Sequence, residues 1–295
     1  MVTGASGFIG RYVVDALLKK EYEVIALVHK NQMQESRHIQ TLTGDICEES
    51  FIRQVAELMK RCDILIHLAA DIDMCGSDRT ILVNCLGTYH MINLAKDLAV
   101  KSFVYMSSVP VIGKPRILPI TENHPADPKT LYHITKDAGE KMVTQLSSEE
   151  MRVVILRIAS PVGIGMNSRN YLSYLLEKCE KNEQVELYGT GKRSQNYIDV
   201  RDIAEAVLCS LSAAASGIFL IAGKDTVTNR KLAFLCRKIM GSSSEIIWGK
   251  REDLEEEDQW RLSSEKARRL LGYMPAYALE DTIRWITGSM GAHGV

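Results

Sequence analysis

The octapeptide Thr3–Gly10 (TGASGFIG) joins a short apolar run to a helical pattern, and it decides the fold. Glycines at this spacing between a strand and a helix are typical of a dinucleotide-binding turn. Gly4 permits the tight turn, Gly7 lets the backbone approach the pyrophosphate, and Gly10 lets the helix pack closely on the strand. The phosphates are expected at the helix N-terminus, where free N–H groups and the dipole favour anions. The stretch therefore predicts a nucleotide-binding α/β fold.

Outward from this turn, short apolar runs alternate with longer helical patterns, which is typical of βα units and a parallel sheet. The predicted strands are 1–3, 23–28, 38–42, 63–68, 103–107 and 153–158, and the predicted helices between them are 11–19, 50–60, 82–98 and 131–147. Beyond residue 160 the pattern is irregular, with a predicted buried strand at 218–221 and predicted helices at 202–211, 229–240, 264–271 and 279–287.

This alternation predicts an α/β protein built on a doubly wound parallel sheet, the Rossmann fold. We assign residues 1–160 to the dinucleotide-binding domain and residues 161–295 to a smaller, mainly substrate-binding portion, some of whose strands and helices return to the first domain. The first predicted strand, 1–3, is short for a central strand, so we expect the natural chain to begin a few residues earlier.

Composition excludes several classes of protein. A formal net charge of −1 over 295 residues offers no basic surface for nucleic acid or an anionic membrane. Seven scattered cysteines suggest neither a disulfide framework nor a zinc site, and no histidine cluster predicts a metal. Residues 206–223 lack charge, but their serines and Gly217 favour a helix end, a turn and a strand over a membrane span. The densest charge run, 252–258, predicts a solvated loop or helix face. We therefore predict a cytoplasmic protein.

The residues after the second strand bear on the cofactor. NAD-binding folds usually carry an acidic residue there for the ribose 2′-OH, whereas a basic residue accommodates a 2′-phosphate. This position reads His29-Lys30, without Asp or Glu. We therefore favour NADP over NAD, with Lys30 and Arg11 near the phosphate, and leave NAD as the alternative.

Further sequence blocks follow in a fixed order along the chain. They are GDI at 44–46, DILIHLAA at 63–70, NCLGT at 84–88, VYMSS at 104–108, YHITK at 132–136, LR at 156–157, SP at 160–161 and LSSEKAR at 262–268 before LGYMP at 271–275. Over nearly the whole chain this order resembles the extended short-chain dehydrogenase/reductase family, whose best-known members are nucleotide-sugar epimerases and dehydratases.

A tyrosine followed four residues later by a lysine occurs at 132–136, 174–178 and 188–192, and roughly one such pair is expected by chance. The resemblance selects Tyr132, because Ser108 stands five residues before Gly113 and Tyr132 follows in the next helix. Lys136 shares a helical face with Tyr132, and its ammonium group should lower the phenol pKa from about 10 toward neutrality. The resemblance makes Tyr132 the proton-transfer group, Ser108 the holder of the substrate oxygen, and Lys136 a hydrogen-bond donor to the nicotinamide ribose.

Other positions carry over from the same family pattern. The predicted cofactor-binding residues are Gly4, Gly7, Phe8, Ile9, Gly10, Arg11, His29, Lys30, Asp45, Ile46, Leu68, Ala69, Ala70, Asn84, Ser107, Tyr132, Lys136 and Pro161. The predicted substrate-binding residues are Ser108, Ser160, Tyr188, Arg193 and Asn196. His67 is interpreted as buried support, since it lies within the fourth predicted strand.

Three departures from the family pattern narrow the choice of reaction. Dehydratases carry an Asp-Glu pair after the catalytic serine or threonine, whereas Val109-Pro110 stands here, and neither side chain can move a proton. Gln195 replaces the usual phosphate-binding arginine of the family's later Gly-rich block, and Arg193 is the predicted substitute. Ser160 replaces a ligand-contacting asparagine.

Two enzyme activities and one other function remain open. A nucleotide-sugar 4-epimerase or keto-sugar reductase fits the C-terminal block, and an NADPH-dependent reductase of an unrelated carbonyl fits the absence of an acid after the second strand. A sensor that binds NADP without turnover is the third hypothesis. Family members often form homodimers through two long helices, here 82–98 and 131–147, so we expect a homodimer.

Overall fold

The computed structural model describes residues 1–33, 36–59, 61–148, 150–168 and 170–291. Its strands are β1 Val2–Thr3, β2 Val24–Val28, β3 Ile39–Thr43, β4 Ile64–His67, β5 Ser102–Ser108, β6 Arg152–Ile158, β7 Ser160–Val162, β8 Val185–Leu187, β9 Ser194–Asp199, β10 Gly217–Ile221, β11 Asp225–Thr228 and β12 Ile246–Trp248. Its α-helices are α1 Phe8–Lys19, α2 Glu49–Leu58, α3 Asp78–Ile81, α4 Thr88–Asp97, α5 Leu131–Thr144, α6 Tyr171–Glu180, α7 Val200–Ser212, α8 Asn229–Met240, α9 Glu265–Leu271 and α10 Leu279–Gly291. Residue 60, the predicted end of the second helix, lies outside the described residues, as do 169 and 292–295 of the predicted second portion.

Seven parallel strands form the main sheet in the order β3-β2-β1-β4-β5-β6-β10. The chain moves outward from β1 to β3, returns to β4 beside β1, and then moves outward in the other direction. This confirms the predicted doubly wound sheet. The order reverses between β1 and β4, and ligands of such folds bind in the crevice at the carboxyl ends of these strands.

The main sheet is covered on both faces, so its strands are largely buried on both sides, except for the edge strand β3, which is partly exposed. In β5, Phe103 and Tyr105 join one apolar core while Val104 and Met106 join the other. Helices α2, α4 and α5 cover the core that contains Phe103 and Tyr105. Helices α1, α7 and α9 cover the core that contains Val104 and Met106. This double burial explains why the inner strands read as continuous apolar runs in the sequence.

A third apolar core lies in the C-terminal part of the chain. There β7, β9 and β11 form a small mixed sheet, β8 pairs with β12, and α6, α8 and α10 pack around them. These strands have only three to six residues, too few for the sequence pattern to reveal. Strand β10 and helices α7 and α9 return to the main sheet.

The uncharged stretch 206–223 contains the end of α7, an irregular connection at 213–216 and strand β10, which begins at Gly217. Among the described residues no helix is both long and apolar enough to cross a membrane. Nor does that part of the chain bring together three His, Cys, Asp or Glu side chains able to hold a metal ion. All seven cysteines are free thiols.

Candidate active site

The glycine turn packs against the end of β4 and leaves one edge open. Gly4 has a φ of +64°, and a Cβ on it would lie 2.8 Å from the backbone nitrogen of Ala69. A Cβ on Gly10 would lie 2.6 Å from the carbonyl oxygen of Ala5, inside van der Waals contact. Gly7 is exposed, and a Cβ there would meet only the Gly4 carbonyl oxygen, at 3.1 Å, among the described residues. The turn is therefore closed toward the protein and open at Gly7, as binding of a dinucleotide pyrophosphate requires.

A buried series of hydrogen bonds runs beneath this turn. The Thr3 hydroxyl oxygen accepts hydrogen bonds from the backbone N–H groups of Leu68 and Ala69, at 3.2 and 3.1 Å. Its proton is therefore directed to His67 Nδ1, 2.7 Å away, which leaves Nε2 of His67 as the donor to Thr88 Oγ1 at 2.9 Å. The Thr88 hydroxyl in turn donates to the carbonyl oxygen of Asn84.

These contacts make His67 a neutral structural group. Burial, together with the nearby charge of Lys136, lowers the pKa of His67 to about 3. The imidazole cannot serve as a base at neutral pH, since both of its nitrogens are occupied by threonine hydroxyls. It instead links β1 and β4 to α4, and so fixes the backbone at residues 68–70 beside the glycine turn.

Asn84 lies in a π-helical turn, Leu82–Gly87, that joins α3 to α4. Its Oδ1 accepts a hydrogen bond from the Asp71 N–H at 2.8 Å, and its Nδ2 donates to the Asp71 carbonyl and to Thr135 Oγ1, each at 2.9 Å. The Thr135 hydroxyl donates to the carbonyl oxygen of Tyr132. In this structure Asn84 therefore links the loop after β4 to helix α5, whereas the family pattern predicted a cofactor-binding residue in the crevice between sheet and helix.

The predicted catalytic side chains lie at the end of β5 and at the start of α5. Ser108 is the last residue of β5 and is half-buried. Tyr132 is the second residue of α5, whose start is capped by Thr130 through a hydrogen bond from the His133 N–H. Lys136 follows one turn later and is only 3% exposed. Strand β5 packs against α5, so the three residues share one part of the crevice.

Lys136 is held by β5 in this structure. Its ammonium group donates to the Met106 carbonyl oxygen at 2.8 Å and lies 4.8 Å from the centroid of the Tyr105 ring. Burial lowers the pKa of Lys136 to about 8, and Glu140 opposes this shift. Lys136 thus remains mostly protonated at neutral pH, although its pKa now lies much closer to neutrality than that of an exposed lysine.

The expected effect of Lys136 on Tyr132 is not met. Burial raises the pKa of Tyr132 above its usual value, the opposite of the predicted direction. The ammonium group of Lys136 points to the Met106 carbonyl, and the low-polarity crevice disfavours a phenolate. Formation of the phenolate therefore depends on additional positive charge in the crevice.

Ser107 and two charged residues form a buried cluster next to this site. Arg157, on β6, donates from Nε at 2.9 Å and from Nη2 at 2.7 Å to the two carboxylate oxygens of Glu140. The Ser107 hydroxyl donates to the same carboxylate. Ser107 was predicted to bind the cofactor, but its side chain is 2% exposed and faces Glu140. The sequence offered one sign of Glu140, its position four residues after Lys136 on α5.

At the far end of the crevice, Asp45 and Ile46 follow β3, and Ile46 packs against Gly87. Arg79 Nη1 lies 2.7 Å from Asp45 Oδ2, and His29 Nε2 lies 3.6 Å from the same oxygen. Burial alone would raise the pKa of Asp45, but hydrogen bonds from Arg79 and Cys47 outweigh it and lower the pKa to about 2. The sequence did not indicate Arg79, which reaches this point from α3.

The basic residues proposed for a 2′-phosphate are only partly together. His29 and Lys30 are both exposed at the end of β2. Arg11 is also exposed, but its guanidinium group adjoins Gly165, in the loop after β7. Arg11 therefore faces the C-terminal portion of the chain in this structure. The remaining predicted cofactor residues lie in the first turn of α1 (Phe8 and Ile9), after β4 (Leu68, Ala69 and Ala70) and on β7 (Pro161).

The predicted substrate residues of the C-terminal portion differ in their surroundings. Ser160 is half-buried on β7, and Tyr188 is 45% exposed after β8. Asn196 is buried, with its amide donating to the carbonyl oxygens of Gly223 and Asp225, each at 3.1 Å. Asn196 therefore holds β9 to the chain leading into β11, and is not available to a substrate in this structure.

Arg193 is paired with the segment that the sequence described as a solvated charge run. Its guanidinium group forms an ion pair with Glu255 and lies 3.8 Å from Asp253. Thr190 donates through its backbone N–H and its hydroxyl to Glu256. Segment 253–258, which we term the acidic segment, thus packs on the turn at 188–193, and its last residue, Asp258, is 7% exposed.

A doubly wound sheet with a glycine turn at its switch point and a Ser–Tyr–Lys set in the same crevice defines a class, the NAD(P)-dependent Rossmann-fold enzymes. Within it, residues 1–222 match the model of the NAD dependent epimerase/dehydratase family, and the chain belongs to this family. The resemblance inferred from the sequence blocks is thereby confirmed.

Individual relatives agree with this assignment. A putative UDP-glucose 4-epimerase of Methanocaldococcus jannaschii is 27% identical over 305 residues, covering 98% of this chain and 97% of that protein. A UDP-glucose 4-epimerase of Drosophila melanogaster is 28% identical over 263 residues, covering 74% of this chain and 75% of that protein.

Solved structures show the same fold. The UDP-glucose 4-epimerase of Thermotoga maritima, crystallised with UDP-glucose, superposes with a TM-score of 0.89 at 23% identity over 99% of this chain and 98% of that one. The Thermus thermophilus UDP-glucose 4-epimerase complex with NAD gives a TM-score of 0.85 at 23% identity over 100% of this chain and 99% of that one.

Proposed function

We propose that this enzyme interconverts a hydroxyl and a ketone on a nucleotide-sugar, acting as a 4-epimerase. The observation that carries the proposal is the gathering of Ser108, Tyr132 and Lys136 at the end of β5 and the start of α5. The end-to-end similarity to the M. jannaschii protein supports the substrate class. Reduction of a keto-sugar uses the same side chains and differs in net outcome.

Each side chain has a separate task in this proposal. A bound nicotinamide supplies the site with a hydride acceptor that can return the hydride. In its phenolate form, Tyr132 takes the proton of the sugar hydroxyl and becomes a neutral phenol, and Ser108 donates a hydrogen bond to the same sugar oxygen. Lys136 holds the nicotinamide ribose and adds positive charge near Tyr132. The resulting keto-sugar then rotates in the site and presents its other face. Tyr132 returns the proton, and the product differs from the substrate only in configuration at that carbon.

The same geometry argues against dehydration. Eliminating water from the sugar needs an acid and a base beside the catalytic serine. In this chain Val109 and Pro110 follow Ser108, and Val109 is 1% exposed within a short 3₁₀ turn. Neither side chain can donate or accept a proton, so we propose that the sugar ring keeps all of its oxygens.

For the cofactor, we propose NADP in preference to NAD. Exposed His29 and Lys30 stand at the end of β2, where an acidic residue would bind the 2′-OH of NAD. Asp45, whose carboxylate lies 3.6 Å from His29 Nε2, is already paired with Arg79. The Thermus thermophilus structure contains NAD, and we retain NAD as the alternative.

A second candidate function is reduction of a carbonyl that carries no nucleotide. The observation that favours it is the pairing of Arg193 with Asp253 and Glu255, because a guanidinium group that already pairs with two carboxylates is less available to a pyrophosphate. Gln195, where the family pattern has an arginine, supplies no replacement charge.

The experiment that separates these functions starts from the protein as purified. Denaturation releases any bound cofactor, which mass spectrometry identifies as NAD or NADP. The protein is then mixed with UDP-glucose, and formation of UDP-galactose is followed by NMR. Interconversion without net consumption of cofactor supports the epimerase, and NADPH consumption with a panel of carbonyls supports the reductase. Cofactor binding without turnover in either assay would leave the sensor hypothesis.

We also propose that the protein is a cytoplasmic homodimer. Leu82, Leu86 and Tyr89 are 42%, 37% and 52% exposed along one side of the helical segment containing α4, and Ile134 is 47% exposed on α5. Apolar side chains this exposed on two neighbouring helices suit a contact between two copies. Light scattering coupled to size-exclusion chromatography measures the mass, and a 33.0 kDa species would contradict the dimer. The seven free thiols suit a reducing compartment.

A further inference from the structure

Glu140 occupies a position that the proposed chemistry does not use. It follows Tyr132 by eight residues and Lys136 by four on α5, so the three side chains share one face of the helix. Its side chain is 3% exposed, and a carboxylate this deeply buried needs compensation by partners. The nature of those partners indicates what Glu140 does.

Two partners tie Glu140 to different strands of the sheet. Arg157 on β6 meets both carboxylate oxygens in a two-pronged contact, with distances of 2.9 and 2.7 Å, which fixes the orientation of the carboxylate plane. Ser107 on β5 donates its hydroxyl to the same group. Because Ser107 is bonded directly to Ser108, Glu140 holds the strand end from which the predicted substrate contact projects.

Lys136 is the third group affected by Glu140. The groups that face Lys136 are Tyr105 and the Met106 carbonyl on β5, His67 on β4, and Glu140 on its own helix, where Tyr132 lies one turn earlier. Of these groups Glu140 is the carboxylate, and His67 stays neutral in its threonine contacts. Burial lowers the pKa of Lys136 to about 8, while the charge of Glu140 raises it.

From this arrangement we propose that Glu140 is a positioning residue of the active site. Through Ser107 it fixes the end of β5 that carries Ser108, and through its charge it keeps Lys136 in the ammonium form. The proposal rests on the roles of Ser108 and Lys136 in the proposed function. A buried ion pair that only stabilises the fold would change the melting temperature and nothing else.

The test measures binding of NADPH, and of NADH in parallel, by nicotinamide fluorescence across pH 6 to 10. Affinity for the dinucleotide should fall as pH rises through the pKa of Lys136, because the lysine then loses the positive charge of its proposed contact with the nicotinamide ribose. In Glu140→Gln the midpoint should lie about one pH unit lower than in the unmodified protein, so that binding becomes roughly tenfold weaker than that of the unmodified protein at pH values above the original midpoint. Thermal unfolding is recorded in the same buffers.

Arg157→Gln is the matched control, since it breaks the same ion pair and leaves the carboxylate in place. Its midpoint should not move down. Equal downward shifts in both variants, or a changed melting temperature with an unchanged midpoint in Glu140→Gln, would overturn the proposal.

If Glu140→Gln does not fold, a double variant provides the same test. The double variant Glu140→Gln/Arg157→Gln buries two amides that can hydrogen-bond to each other, and it avoids an unpaired buried charge. Its midpoint should also fall, because it too lacks the carboxylate. A midpoint equal to that of the unmodified protein would overturn the proposal. Since no sugar is present in these measurements, failure of the UDP-glucose assay would refute the proposed substrate and leave the binding result standing.

Discussion

The glycine turn and the turn at 188–193 are built from different kinds of contact. Under the glycine turn, Thr3, His67 and Thr88 are buried and every hydrogen bond has a defined direction. Around the turn at 188–193, Arg193 and the acidic segment meet through ion pairs that are partly open to water, with the Arg193 side chain 34% and the Glu255 side chain 57% exposed. Buried neutral networks hold a fixed geometry, whereas exposed ion pairs contribute little and exchange partners easily. The difference suggests that the chemistry of the enzyme is fixed by the first region and its selectivity by the second.

The largest effect is expected from removing the phenol oxygen of the buried region. Tyr132→Phe should lower kcat by about 10²- to 10⁴-fold, the usual contribution of a positioned general acid–base group. NADPH binding should persist, since the ring is retained. Tyr188→Phe is the control, because Tyr188 also precedes a lysine by four residues but is exposed in the C-terminal portion, after β8. Full turnover in Tyr132→Phe would refute the proposed mechanism.

A stability comparison follows from two glycines. Gly10→Ala should destabilise the fold by about 1–3 kcal/mol, because its Cβ would overlap the carbonyl oxygens of Gly4 and Ala5. Gly288→Ala, in α10 of the C-terminal portion, meets no atom within 4 Å and should stabilise the fold by up to about 1 kcal/mol. Urea denaturation measures both. Equal changes in the two variants would show that the glycine turn is not closely packed.

Cofactor choice should respond to the exposed residues at the end of β2. Lys30→Ala should weaken NADP binding by about five- to tenfold, the effect of losing one charge-assisted contact, and leave NAD binding unchanged. The measurement is the dissociation constant of each dinucleotide by isothermal titration calorimetry. An equal loss for both would place Lys30 away from the 2′-phosphate, and tighter binding of NAD by the unmodified protein would contradict the proposed preference.

The smallest effect is expected in the acidic segment. Glu255→Gln should free Arg193 from its closest carboxylate and lower the KM for a nucleotide-sugar by about two- to fivefold, in keeping with the weak energy of exposed ion pairs. The KM effect should shrink at high salt, because salt already weakens this pair. Glu257→Gln, in the same segment, is the control. An unchanged KM in Glu255→Gln would show that Arg193 does not contact the phosphates.

Much of the fold could be predicted from the sequence because its signals are local. The glycine turn, the apolar runs and the spacing of Ser108, Tyr132 and Lys136 each depend on neighbouring residues or on a single helix. Segment 78–87 was less visible, since the π-helical turn at Leu82–Gly87 departs from the usual helical spacing. Here the sequence predicted a helix beginning at 82, whereas the helical segment begins at Asp78.

The electrostatics of the site could not be predicted in the same way. Glu140 gains its significance from Arg157 and Ser107, and Arg79 from Asp45, and each pair is distant in the chain but close in space. The contacts of Asn196 and of the acidic segment were missed for the same reason, since their partners lie 27 or more residues away, although the acidic segment is the largely exposed loop that the sequence predicted. The pKa of Tyr132 was assigned the wrong direction, because spacing identifies a neighbouring lysine but does not measure burial.

The hydrogen-bonded series from Thr3 through His67 and Thr88 to Asn84 also constrains how such enzymes diverge. Each proton in the series has one acceptor, so a single substitution strands a buried donor or acceptor at a cost of about 1–3 kcal/mol. Drift at these positions should therefore proceed by coordinated changes, with intermediates that natural selection removes. The exposed turn at 188–193 carries no such penalty. Over evolutionary time the crevice is expected to acquire new substrates at one end while the other end stays nearly constant.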